Sequence, residues 1–166
     1  MRRSTAIVLC CACAATLLAL VPGHASAAHK RTARPSHHAA ALHARRARNR
    51  VVVLAWRAVG APYRRGGSSP RGGFDCSGLT RWVYGHVGIS LPHYSVAQWR
   101  YGRPVARWAL RPGDLLFFSG LGHVGIYLGH GAVIHAPRPG ARVRFERLRG
   151  WLGASFYGAR RFRVLG

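Results

Sequence analysis

After Arg111-Pro112-Gly113 the chain changes period. The runs LLFF (115–118), HVGIYL (123–128), AVIHA (132–136) and RVRFE (142–146) are short, rich in β-branched and aromatic residues, and separated by Gly, Pro or His-Gly turns. Short strands with tight connections pair antiparallel, and a last strand falls over 156–164. Upstream the spacing is helical. Asn49 is placed to cap a helix over 51–59, whose Val52, Leu54, Ala55, Trp56 and Val59 supply an apolar face. Gly60-Ala61-Pro62 ends it, and RRGGSSPRGGF reads as an irregular loop. CSGLTRWVYGHVG reads as a short helix closed by Gly88, and 95–101 as a third helix capped by Ser95. Helices first and strands afterwards define an α+β domain, with N-terminal helices packed on a C-terminal antiparallel sheet.

The front of the chain reads differently. Arg2 and Arg3 precede an apolar run over 6–21, then Pro22-Gly23 and the small residues Ala25-Ser26-Ala27. This is the plan of a secretory signal peptide over 1–27, with cleavage expected after Ala27 or, second, Ala28. The run falls short of the roughly 20 residues that span a bilayer. Cys10, Cys11 and Cys13 leave with it and lack the context that lipidation prefers, so the processed chain keeps Cys76 as its one thiol. Segment 28–50 is rich in Arg, His and Ala and has no aromatic residue, so it is expected to be a flexible basic arm, a spacer or a tether to anionic envelope surface. The remainder, 51–166, is the folded domain. The expected location is the periplasm or cell envelope, with secretion as the alternative, and the protein is expected to act as a monomer.

Charge narrows the chemistry. Lys and Arg number 26 against 3 Asp and Glu, for a net charge of +23. The acidic residues are Asp75, Asp114 and Glu146, too few for paired-carboxylate glycoside hydrolysis, two-metal phosphoryl transfer or a calcium loop. An exported chain rarely meets nucleic acid, so the basic balance points to envelope anions instead. Catalysis has to run on Cys, His, Ser or Tyr.

Cys76 opens its helix directly after Asp75, where backbone N–H groups and the helix dipole favour a thiolate and can hold an oxyanion. A thiol nucleophile needs a base. His123 begins one strand and His135 lies in the next; if these pair across His130-Gly131, both imidazoles reach one face, His123 as base and His135 as its orienting partner. His86 and His93 have no such placement. A zinc site on Cys76, His123 and His135 lacks a second Cys, a close ligand pair and a spare acidic base, so no metal and no cofactor is expected.

FDCSGLTRWVYGHVGISLP, RPGDLLFF, HVGIYLGHG and IHAPRPGARVRFERL, in that order and spacing, resemble the NlpC/P60 family of papain-like cell-wall cysteine peptidases. The similarity runs from about Val51 to the closing GARRF and is nearest to short, single-domain proteobacterial murein endopeptidases. The resemblance implies a papain-like fold, Cys76 as nucleophile, His123 as base and His135 as third member. It also implies that Tyr63 lies beside the thiol to position substrate or oxyanion, and that Asp75 and Ser77 line the substrate groove. The implied substrate is peptidoglycan, cut at D-γ-glutamyl-diaminopimelate or at the D,D cross-link. Arg65 and Gly122 stand where relatives often carry an aromatic and a serine, a difference that bears on substrate preference. The competing readings are a non-catalytic basic envelope-binding module and an amidase or acyltransferase acting on a non-wall substrate.

Overall fold

The computed structural model describes residues 37–163. The expected signal peptide, its three cysteines and the first part of the arm lie outside these residues. In chain order the elements are α1 (His37–Arg57), β1 (Ser68–Ser69), β2 (Gly73–Phe74), α2 (Cys76–Gly85), α3 (Ser95–Gln98), β3 (Arg103–Val105), β4 (Leu115–Phe118), β5 (His123–Gly129), β6 (Ala132–His135), β7 (Arg144–Arg147), α4 (Gly150–Ala154) and β8 (Phe156–Arg161). Six strands form one sheet in the order β3-β8-β4-β5-β6-β7, every pair antiparallel.

Strand β4 reads as four consecutive apolar residues rather than an alternation because both faces of the sheet are covered there. Leu115 and Phe117 join Val124, Ile126 and Ile134 under α1 and α2, where Val51, Ala55, Leu79, Val83 and Tyr84 complete the main core. Leu116, Phe118, Val133 and Ala159 point the other way, to Leu152 of α4 and its neighbours. At about 25 cal/mol per Å² of apolar area, these side chains are the principal source of stability. A buried ion pair joins the end of β8 to the turn that leads into β4. Arg161 of β8 donates from Nε and a terminal nitrogen to the two Asp114 oxygens, both at 2.7 Å, and Asp114 is fully buried. Removing one partner would leave the other charge unpaired, a loss of about 3–5 kcal/mol.

Four local expectations need correction. The first helix does not begin at Asn49; α1 starts at His37, so residues 37–50, read as flexible arm, are helical here. The physical reason is that Ala47 continues the buried stripe of Val51, Leu54, Ala55 and Ala58 back by one turn, in a segment of Ala and Arg with high helix propensity. Trp56 and Val59, expected on the apolar face, are exposed. The loop RRGGSSPRGGF holds the small hairpin β1–β2. Helix α3 is shorter than expected, and Ser95 does not cap it: Tyr94 takes the N-cap position while Ser95 Oγ donates to the Leu121 carbonyl at 2.6 Å. The strands over 115–118, 123–129 and 132–135 fall where the sequence places them.

Candidate active site

Asp75 is the N-cap of α2 and the hub of the helix start. Its Oδ1 accepts the Gly78 N–H at 2.7 Å, the Ser77 hydroxyl at 3.1 Å and a bond from His93 Nε2 at 2.9 Å, while Oδ2 accepts the Gly66 N–H at 2.8 Å. Burial alone would raise the Asp75 carboxyl, but the bonds from Gly78, His93 and Gly66 outweigh it and hold the group below the ordinary carboxylate range. Gly78 has to lack a side chain, because a Cβ there would stand 1.9 Å from the Gly67 carbonyl oxygen and 2.7 Å from His93 Nε2. Behind this turn the buried Gln98 donates to the Ser77 and Pro92 carbonyls at 2.9 and 2.8 Å, tying α3 to the first turn of α2.

Cys76 opens α2, which packs across β5. Its thiol lies against the backbone N–H of Val124, the residue after His123, and against the N–H groups of Ser77 and Cys76 itself. The expected lowering of its pKa does not occur. Burial pushes the Cys76 thiol up, the Asp75 carboxylate adds to that, and the three N–H groups offset only part of it. The helix start is as expected; the desolvation is a tertiary effect that the local motif does not express.

The two imidazoles meet. His123 Nε2 and His135 Nδ1 are 2.8 Å apart, with the rings near perpendicular. Antiparallel pairing of β5 with β6 brings them together, and Gly125 makes room: a Cβ there would lie 3.1 Å from His135 Cβ and 2.7 Å from a Val133 methyl. Both rings are buried. Burial, then the neighbouring His135, lowers His123 to about 4; burial, then Arg144, lowers His135 to about 4. Burial thus favours the neutral form of the thiol and of both imidazoles near pH 7.

Three side chains that the sequence reading left without a role are part of this arrangement. His135 Nε2, buried and without a hydrogen bond, faces Glu146 Oε2 on β7 at 3.4 Å, and Glu146 is itself gripped by Arg144 Nε at 2.6 Å. Alternation in RVRFE, with β7 beside β6, was the available signal for Glu146. His93, set aside as unplaced, stands on Asp75; nothing periodic marks it. Trp151 of α4 lies 5.8 Å from the His123 ring, stacks near Phe118, and is 57% exposed, forming an aromatic wall beside that imidazole. Of the residues the resemblance supplied, Tyr63 is half-buried, and its phenol pKa is raised by burial, then by the charges of Cys76 and Asp75. Ser77 is buried and bonded to Asp75, so its hydroxyl serves the helix start.

Helices on an antiparallel sheet, with a helix-start cysteine against Val124, the residue next to a strand-borne histidine pair, define a papain-like α+β domain. Residues 60–161 match the model of the NlpC/P60 family, and the chain belongs to that family. Over 98 residues it is 50% identical to Probable endopeptidase Rv2190c of Mycobacterium tuberculosis, covering 58% of this chain and 25% of that protein. Over 94 residues it is 45% identical to Gamma-DL-glutamyl hydrolase of Bacillus subtilis, covering 53% of this chain and 23% of that one. The chain thus spans about a quarter of the length of these curated relatives. The crystal structure of the NlpC/p60 domain of peptidoglycan hydrolase SagA superposes with a TM-score of 0.64 at 36% identity, over 69% of this chain and 98% of that one.

Proposed function

We propose that this chain is an exported cysteine endopeptidase that hydrolyses amide bonds in peptidoglycan stem peptides. The observation that carries the reading is the chain's one described thiol, at a helix start, against the residue next to a buried His–His pair. Of the two bonds the resemblance leaves open, the D-γ-glutamyl-diaminopimelate linkage is favoured, supported by the name of the B. subtilis relative.

The chain's own groups supply each step. His123 Nε2–H donates to His135 Nδ1, which leaves His123 Nδ1 as an unprotonated base and puts the His135 proton on Nε2, facing Glu146. Glu146 is a positioning group, fixing the tautomer of His135 as His135 fixes that of His123. With both partners neutral at rest, the thiol proton passes to His123 Nδ1 as Cys76 Sγ attacks the carbonyl carbon. The N–H groups at the start of α2 receive the oxyanion, with the Tyr63 phenol beside them. The C–N bond breaks as the imidazolium protonates the leaving amine, giving a thioester. His123 then takes a proton from water, the hydroxide displaces Sγ, and the thiol is restored.

The test is digestion of purified peptidoglycan with mass analysis of the released fragments. Cys76→Ser should abolish detectable release, and His123→Ala should lower it by about 10²–10⁴-fold. His135→Ala should retain some activity and His135→Gln more. Glu146→Gln should lower kcat about two- to fivefold with KM little changed, as fits a partly exposed pair. Undiminished release by Cys76→Ser would refute the cysteine mechanism and leave an envelope-binding module. Fragments cut only at the D,D cross-link would refute the choice of bond and keep the mechanism.

A further inference from the structure

A second concavity, sharing no residue with the site above, lies where α1, β3 and the end of β8 meet. It measures about 410 Å³, and four of its lining side chains are arginines: Arg48, Arg103, Arg161 and Arg163, with Phe162 among them. Arg161 is already balanced, since its guanidinium grips Asp114 and donates to the Ala109 carbonyl at 2.8 Å. The side chains of Arg48, Arg103 and Arg163 have no hydrogen bond or ion pair to any described residue. Arg48 is also half-buried, and the carboxylate whose charge favours it, Asp114, has both oxygens taken up by Arg161, so a partly desolvated cation is left short of acceptors of its own. Burial, then the like charges of Arg111 and Arg161, lowers its pKa, with Asp114 opposing them, so Arg48 stands among cations that repel it.

A concavity of this volume is of the size that takes a small group. Guanidinium forks match the oxygens of a phosphate two at a time, and several converging forks favour a ligand whose one centre carries several anionic oxygens. Arg48 lies in the stretch read from sequence as a loose arm; its place on α1 turns what would be diffuse attraction into a shaped site. We propose that this concavity binds a phosphate ester, holding the domain on a phosphodiester polymer or on lipid headgroups independently of the cysteine centre.

The probe is inorganic pyrophosphate, titrated calorimetrically into the full chain at about 0.1 M salt, where exposed charges more than about 10 Å apart are screened. One saturable site is expected. The double variant Arg48→Gln/Arg163→Gln should weaken it at least tenfold. The control Arg81→Gln/Arg100→Gln, with the same net charge, should stay within twofold. Equal weakening in both, or no saturable binding, overturns the site and leaves only the general positive charge. Circular dichroism and cleavage of a soluble muropeptide by both variants should match the native chain, which separates loss of the site from loss of the fold. Poly(glycerol phosphate) and phosphatidylglycerol vesicles then compete against pyrophosphate. Displacement by the first assigns the source as polymer, by the second as lipid, and displacement by neither overturns the phosphodiester assignment.

Discussion

Replacing Asp75 by Asn isolates what the carboxylate contributes to the helix start. Asn caps helices about as well as Asp, so the bond from Gly78 N–H to Oδ1 should persist, as should the contacts from Ser77 and His93 to that oxygen. What changes is the other atom: an Nδ2 donor would face the Gly66 N–H, now 2.8 Å from Oδ2, and the charge on every remaining bond disappears. Bonds to charged acceptors contribute about 1.5–3 kcal/mol net, against about 0.5–1.5 for neutral ones. One lost bond and three weakened ones, on a side chain only 15% exposed, amount to about 2–3 kcal/mol. The sign of the pH dependence follows from the lowered Asp75 pKa: its stabilisation is complete above the unfolded value of about 3.9 and is lost as pH falls through the folded value. Urea denaturation of both proteins at pH 7 and pH 3 measures the gap. It should be widest at pH 7 and narrow at pH 3, below the unfolded Asp75 value, where protonation of the unfolded chain removes part of what the carboxylate contributes. A gap below about 1 kcal/mol at pH 7, or one of the same size at both pH values, would refute the reasoning.

With the thiol pKa raised by burial, the rate of Cys76 alkylation by iodoacetamide should climb steadily through pH 8 and 9, read by intact mass. A plateau between pH 5 and 7 would mean a preformed thiolate–imidazolium pair and would contradict it. Gly78→Ala should destabilise the fold by about 1–3 kcal/mol, despite the better helix propensity of Ala, because its methyl group displaces the Gly67 carbonyl and His93. Thermal unfolding checks this, and a variant as stable as the native chain would show that the loop yields freely.

Legibility in the sequence follows the range over which each cause acts. Strand positions were readable because alternation and turn residues are local, and the register that sets His123 beside His135 needs only a short hairpin. Cys76 at a helix start was readable for the same reason, with Asp75 as the cap. The extent of α1 was not, since an Ala- and Arg-rich stretch looks alike whether solvated or docked; only the core under Ala47 decides. His93 reaches Asp75 through the loop joining α2 to α3, a path no periodicity marks. The protonation state of the thiol depends on how much water the assembled layers exclude.

Gln98, fully buried, reaches from α3 to the carbonyls of Pro92 and Ser77, while the histidine pair belongs wholly to the sheet. The proposed nucleophile and base therefore arrive on separate layers, joined at the Cys76 thiol against the Val124 N–H and at the Ser95 hydroxyl on the Leu121 carbonyl. A loosened state that kept its helices and strands but let the layers slide would be chemically silent while retaining its far-ultraviolet spectrum. Activity in such a molecule is a readout of docking: the chain becomes reactive only as the last interlayer packing closes, so a partly folded copy carries an inert cysteine.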